Sequence, residues 1–176
     1  MVEDKKEKEK RREDRFVEYV LQNLSKDTGF RAALTRADNP QTEPQAWQYL
    51  ARFCDLEKPW ERLPYALVAA CMARLRAEKN GSQSLGEALR FSKENLLEED
   101  DSIERKLRRV LACDNVEELV SVLRPILRYL TGKEKVSLNY AQLLRDVLYF
   151  NEKTKILWAK QYYSKGKEVE ECSSPE

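Results

Sequence analysis

Ser102-Ile-Glu-Arg-Lys-Leu-Arg-Arg-Val-Leu-Ala112 reads as a helix with two opposed faces. At helical spacing Ile103, Leu107, Val110 and Leu111 share one side of a cylinder. Arg105, Arg108 and Arg109 share the other, and Lys106 points off that sector. Asp114, with Glu117 three residues on, then reads as the N-cap of a second helix. Its inward stripe is Val116, Leu119, Val120, Leu123, Ile126, Leu127 and Leu130, and Gly132 ends it. Pro125 is expected to bend or break that helix, because it removes an amide donor and crowds the preceding turn. Arg124 and Arg128, one turn apart, flank the stripe. Tyr140, Leu143, Leu144, Val147 and Leu148 define a third helix, and Ile156 to Tyr163 a fourth.

The N-terminal half repeats the pattern. Phe16, Tyr19, Val20 and Leu24 form one stripe; Phe30, Ala33, Leu34 and Ala37 form the next, ending before Asn39-Pro40. Thr42-Glu-Pro-Gln45 has the form of a capping box, opening a helix expected to bury Trp47, Leu50, Ala51 and Cys54. Pro59-Trp60 and Pro64 precede a run, Ala66 to Ala73, that is apolar on every side and belongs at the centre of a core. Asn80-Gly81 is the expected stop, and Ser84-Leu-Gly-Glu87 a further capping box with a short helix through Arg90. No alternating strand pattern of useful length occurs, and short connections between helices favour antiparallel neighbours. The expected class is all-α: two small helical bundles joined by an acidic connection.

The organisation expected is a charged extension, flexible or helical, over residues 1–15, then an N-terminal bundle over 16–93. An acidic linker over 94–101, a basic C-terminal bundle over 102–164 and a flexible acidic tail over 165–176 follow. From Glu104 to Lys167 there are fourteen Lys and Arg against seven Asp and Glu, a surplus of seven. The whole chain of 176 residues carries only +1, so the remainder is at −6. That asymmetry points to a polyanion met from one surface.

Other chemistries find little support. There is no histidine, the five glycines stand singly, and no nucleophile has a base at a spacing that would activate it. The reading is therefore of a non-enzyme with no cofactor, no metal and no small-molecule substrate. The four cysteines, Cys54, Cys71, Cys113 and Cys172, form no CxxC pair and read as reduced structural thiols. The absence of a membrane-length apolar stretch and of a secretory h-region sets the expectation of a cytoplasmic protein without membrane contact. Trp158, Tyr162 and Tyr163 have the ring faces to stack on bases, but their helical spacing makes core packing the stronger reading, as for Trp47 and Trp60.

Several phrases in order carry a family resemblance: Trp60-Glu-Arg-Leu-Pro-Tyr-Ala-Leu-Val-Ala-Ala-Cys-Met-Ala73, Ser84-Leu-Gly-Glu-Ala-Leu-Arg90 and Glu104-Arg-Lys-Leu-Arg-Arg-Val-Leu-Ala112. Leu119 to Leu130 with its Leu-Arg-Pro core, Leu143-Leu-Arg-Asp-Val-Leu148 and Trp158-Ala-Lys-Gln-Tyr-Tyr163 complete the set. Over residues 16 to 163 the chain resembles the CasB family, the small subunit of type I-E CRISPR Cascade. The resemblance implies a helical, non-enzymatic subunit contacting the large subunit, the repeated backbone subunits and a second copy of itself. It also implies a basic surface toward the target and displaced strands of an R-loop, with sequence read by pairing to the crRNA. Candidate nucleic-acid contacts are Arg105, Arg108 and Arg109, then Arg124 and Arg128, then Lys153 and Lys160, with Arg36 as an N-terminal contributor. The competing reading is a standalone helical nucleic-acid binder or a protein-interaction scaffold. The charged first fifteen residues and the Glu168–Glu176 tail inherit nothing from the resemblance.

Overall fold

Ten successive residues, Pro64 to Ala73, are buried. In the computed structural model, which describes residues 10–93 and 101–164, they form the body of a 17-residue helix, Pro59–Leu75. Three helices precede it: α1 (Arg12–Leu24), α2 (Thr28–Thr35) and α3 (Trp47–Leu50), the last entered through a 3₁₀ turn at Glu43–Ala46. The central helix is α4, followed by α5 (Leu85–Phe91), α6 (Asp101–Leu111), α7 (Val116–Leu130), α8 (Tyr140–Leu148) and α9 (Glu152–Tyr163). Among the described residues no strand forms; the nearest approach is an isolated parallel bridge between Gln83 and Leu138. The all-α class is as read. The acidic connection at 94–100 and both charged ends, 1–9 and 165–176, lie outside the described residues.

A helix apolar all round must be covered all round. Helix α4 meets α1, α2 and α3 from the N-terminal half and α7 and α8 from the C-terminal half. Helix α1 also packs on α8, and α5 on α9, while α6 touches α5, α7 and α9. The two helical halves therefore share one apolar core, running from Phe16 through Tyr65 and Met72 to Leu144 and Trp158. The basic helix α6 buries Ile103, Leu107 and Val110 completely, as its stripe predicted. No helix of the described residues is long and apolar enough to cross a membrane.

Local signals set the helix starts with mixed success. Ser84 and Glu87 make both bonds of the capping box. Asp27, Asn139 and Asn151 cap α2, α8 and α9 through side-chain acceptors. At α7 the cap shifts by one residue: Asn115, not Asp114, accepts from Glu118 N, and the Glu118 carboxylate accepts from Asp114 N. Thr42 does not cap at all; its hydroxyl donates to the Arg36 carbonyl at 2.8 Å. Helix α4 begins at Pro59, contains Pro64, and stops at Arg76 rather than Asn80-Gly81. Arg76 takes the left-handed conformation itself (φ 50°). Pro125 sits inside α7 without breaking it.

Three aromatic residues depart from the core expectation. Trp47 is partly exposed, donating Nε1–H to Glu43 under the guanidinium of Arg62. Because α3 is a single turn, Ala51 also leaves the buried stripe, which keeps Leu50 and Cys54. Trp60, 49 % exposed, occupies the first turn of α4 ahead of its packed body. Tyr163 lies outside while Trp158 and Tyr162 are buried as read.

Gly86 shows how tightly α5 and α9 approach: a Cβ there would overlap the carbonyl oxygen of Trp158. The close pass is anchored by Ser84 Oγ to Gln161 Oε1 at 2.7 Å. Replacing Gly86 by Ala must push the two helices apart, and the expected loss is about 2–3 kcal/mol of unfolding free energy. Chemical denaturation read by circular dichroism measures it; an unchanged midpoint would contradict the packing described.

Candidate nucleic-acid interface

Helix α6 owes its geometry to a divided sequence: its apolar side is locked into the core, so its cations are held outward on a rigid rod. Arg105, Arg108 and Arg109 are exposed, and Lys106 is partly buried with its ammonium 4.6 Å from the centre of the Tyr129 ring. Arg108 reaches back one turn to Glu104 at 2.7 Å. Glu104 also accepts from the Tyr163 hydroxyl at 2.9 Å. The Tyr163 hydrogen bond and the Arg108 guanidinium hold the Glu104 carboxyl below its ordinary range. The same chain of bonds ties α6 to the end of α9, where Lys160 lies one turn before Ser164.

Lys153 and Lys160 are both exposed on α9, on the face that also carries Ile156 and Leu157. Those two apolar residues face solvent.

Arg128 and Arg36 belong to a different arrangement. Asp38, with its side chain 2 % exposed, accepts from Arg74 at 2.8 Å and from Arg128 at 3.2 Å. Arg74 also donates to the Thr35 carbonyl. One carboxylate thus joins the end of α2, the end of α4 and the outer side of α7. Burial pushes the Asp38 carboxyl up, but the bonds and charges of Arg74 and Arg128 outweigh it and leave it below the ordinary value of 3.8. Arg36 stands two residues before Asp38, its guanidinium 3.3 Å from Gln45 Oε1. Arg124 is half-buried and its Nε has no hydrogen-bond partner among the described residues.

The sequence-predicted set therefore divides. The α6 trio shares one exposed face, and α9 adds Lys160 through the Tyr163 link. Arg36 lies apart on Gln45, and Arg128 meets Asp38 together with Arg74, a residue that sequence reading missed. Its signal was an arginine at the end of a long apolar run, facing a neighbour that only the tertiary fold supplies. Among the described residues no cluster of three metal-ligating side chains occurs, and Cys54, Cys71 and Cys113 are buried free thiols.

An all-α fold with arginines set outward along one of its helices defines the class as helical proteins with a cationic helix face. Within that class the chain belongs to the family of CRISPR-associated protein Cse2, whose family model matches residues 30–163. It is similar to the crystal structure of CasB from Thermus thermophilus, at 25 % identity and TM-score 0.66, over 86 % of this chain and 97 % of that one. A Cse2-family CRISPR-associated protein, also from Thermus thermophilus, matches at 24 % identity and TM-score 0.69, with the same coverage. A chain of a CRISPR RNA-guided surveillance complex matches at 23 % identity and TM-score 0.70, over 86 % of this chain and 91 % of that one. Among curated proteins none matches. The resemblance read from the ordered phrases is thus borne out.

Asp38 gives the stability test. Its folded carboxyl lies below the unfolded value, so its contribution is present above pH 3.8 and is lost as pH falls through the folded value. Asp38→Ala leaves two arginines without their shared partner, and the expected cost at neutral pH is about 2–3 kcal/mol, since both arginines keep some solvent. The variant should also lose part of the acid-side slope of stability against pH. Denaturation midpoints between pH 3 and pH 7 measure both; parallel curves for the two proteins would remove Asp38 from this role.

Proposed function

We propose that this chain is the non-catalytic small subunit of a CRISPR RNA-guided surveillance complex of the type I-E Cascade kind. In this reading it binds the large subunit, the repeated backbone subunits and a second copy of itself. It stabilises the assembly and holds the target and displaced strands of the R-loop through its basic helical surface. The observation that carries the reading is the family match over residues 30–163 together with the outward arginine face of α6.

The physical mechanism is charge placement. Arg105, Arg108 and Arg109 are fixed on one helix face by the burial of Ile103, Leu107 and Val110 behind them. Such cations neutralise phosphates and release counterions, giving affinity that does not depend on base identity. Specificity is left to guide pairing, which needs a holder indifferent to sequence. Arg108 can exchange Glu104 for a phosphate at little cost, because water and salt screen an exposed ion pair. Lys153, Lys160, Arg36, Arg124 and Arg128 complete the proposed contacts.

The test is reconstitution of the complex with the wild-type chain, without it, and with Arg105→Glu, Arg108→Glu and Arg109→Glu combined. The expected result is weaker target-DNA binding for the triple variant on every sequence tested, with the slope of log affinity against log salt reduced by about 2–3. Loss of the chain should also change subunit stoichiometry. If omission alters neither stoichiometry nor affinity, the assignment as a subunit fails. If only the triple variant is silent, the strands are held elsewhere on the chain.

A further inference from the structure

A second cationic place lies where α5 ends against the turn after α7. A notch of about 320 Å³ is lined by Phe91, Ser92, Lys93, Gly132, Lys133, Glu134 and Lys135. Three lysines and one carboxylate surround a phenyl ring that is 36 % exposed at the last turn of its helix. None of these residues is among the candidate contacts given by the sequence.

The notch is held by its surroundings. Gln83 fixes the lysine-bearing turn from both sides, donating from Nε2 to the Lys135 carbonyl at 3.1 Å and accepting from Ser137 N at 2.7 Å. The bridge to Leu138 adds Gly81 N to the Leu138 carbonyl at 2.8 Å, and a Cβ at Gly81 would overlap the carbonyl oxygens of Ser137 and Leu138. The cations are placed against aromatic faces. Lys133 Nζ lies 4.9 Å from the Tyr129 ring centre, which Lys106 approaches at 4.6 Å from α6. Lys93 Nζ lies 4.6 Å from the Tyr162 ring, and Arg90 Cζ lies 5.7 Å from that of Phe91. A ring holds an ammonium in place without cancelling its charge. Lys106, Tyr129, Lys133, Lys135, Phe91 and Lys93 thus bring cations and rings together, as single-strand binding surfaces do.

We propose that this notch seats one nucleotide of an unpaired strand, with the base against Phe91 and the adjoining phosphodiester on Lys93 and Lys135. The inference rests on the reading of the chain as a strand holder and adds a preference that the α6 arginines cannot supply. Phosphates on a duplex and on a single strand both satisfy an arginine row. A ring can stack only on a base whose face is free, and bases within a duplex are stacked on both sides. Every base has such a face, so the preference is for unpaired strands without regard to sequence. The notch volume lies at the small end of ligand sites and suits one nucleotide rather than a turn of duplex.

The test uses the full chain and two probes: a fluorescein-labelled twelve-nucleotide oligothymidine and a duplex of the same length, each at several salt concentrations. Phe91→Ala is expected to weaken single-strand binding about tenfold while duplex binding stays within about twofold. Phe91→Leu, which keeps an apolar side chain at that position, should lose as much. Lys135→Glu should lower the single-strand salt slope by about 0.7 or more. A matching oligonucleotide carrying 5-bromodeoxyuridine should photocross-link to the peptide containing Phe91, and the duplex should not. The notch is overturned if both Phe91 variants bind oligothymidine as the wild type does, or if cross-links map elsewhere. Should the α6 triple variant lose binding in that case, the strand-holding reading survives without the notch. A wild-type chain that binds neither probe also overturns the notch, and the reconstituted complex then decides the reading separately.

Discussion

From Pro64 to Ala73, helix α4 touches protein on every side, so each of its faces needs a neighbour. Helices α1, α2 and α3 cover it from the N-terminal half and α7 and α8 from the C-terminal half, and neither group can be removed without exposing part of that apolar run. The two halves of the chain are thereby fixed to each other, and the position of α7 fixes α6, which packs on it. An arginine row is useful as a strand holder only if its support does not move. Here that rigidity traces back to a helix that has no charged residue between Arg62 and Arg74.

What could be read from sequence was whatever depends on neighbours within a turn or two. Apolar stripes at three- and four-residue spacing placed Phe30, Leu34, Ile103, Leu107, Leu123 and Leu144 in the core, where they lie. The Ser84–Glu87 capping box needs only four consecutive residues, and it forms. The failures share a different character. Asp114 and Asn115 are both good caps one residue apart, and the bonds divide between them: the Asn115 side chain accepts from Glu118 N, while Asp114 N donates to the Glu118 carboxylate. Trp60 looks like core by composition, but the packed body of α4 begins a turn later. Arg76 ends α4 in a conformation that its side chain does not advertise.

The site was legible to the same extent. The α6 arginine face follows from local spacing, so sequence places it. The grouping of Arg74 and Arg128 on Asp38 spans separations of 36 and 90 residues, and no local rule can foresee it. The lysine notch is harder still: Lys93 follows the end of α5 and Lys133 and Lys135 lie in the turn after α7, and each taken singly reads as an ordinary solvated cation.

The arginines also differ in what holds them, and that difference sorts structural cations from available ones. Arg74 and Arg128 share a carboxylate that is shut away from water, so withdrawing either leaves a buried charge less well compensated. Arg74, itself only about a quarter exposed, is committed to the fold. Arg128, 53 % exposed, presents the rest of its guanidinium outward while one nitrogen stays on Asp38. That makes it a cation already oriented, with less rotamer freedom to lose on meeting a phosphate. Arg108 and Glu104 form the opposite case, an exposed pair at adjacent turns that solvent screens and a phosphate can displace. On the proposed reading both kinds have a use: a few fixed charges would set the path of a strand's backbone, and exchangeable ones would let the strand settle and leave.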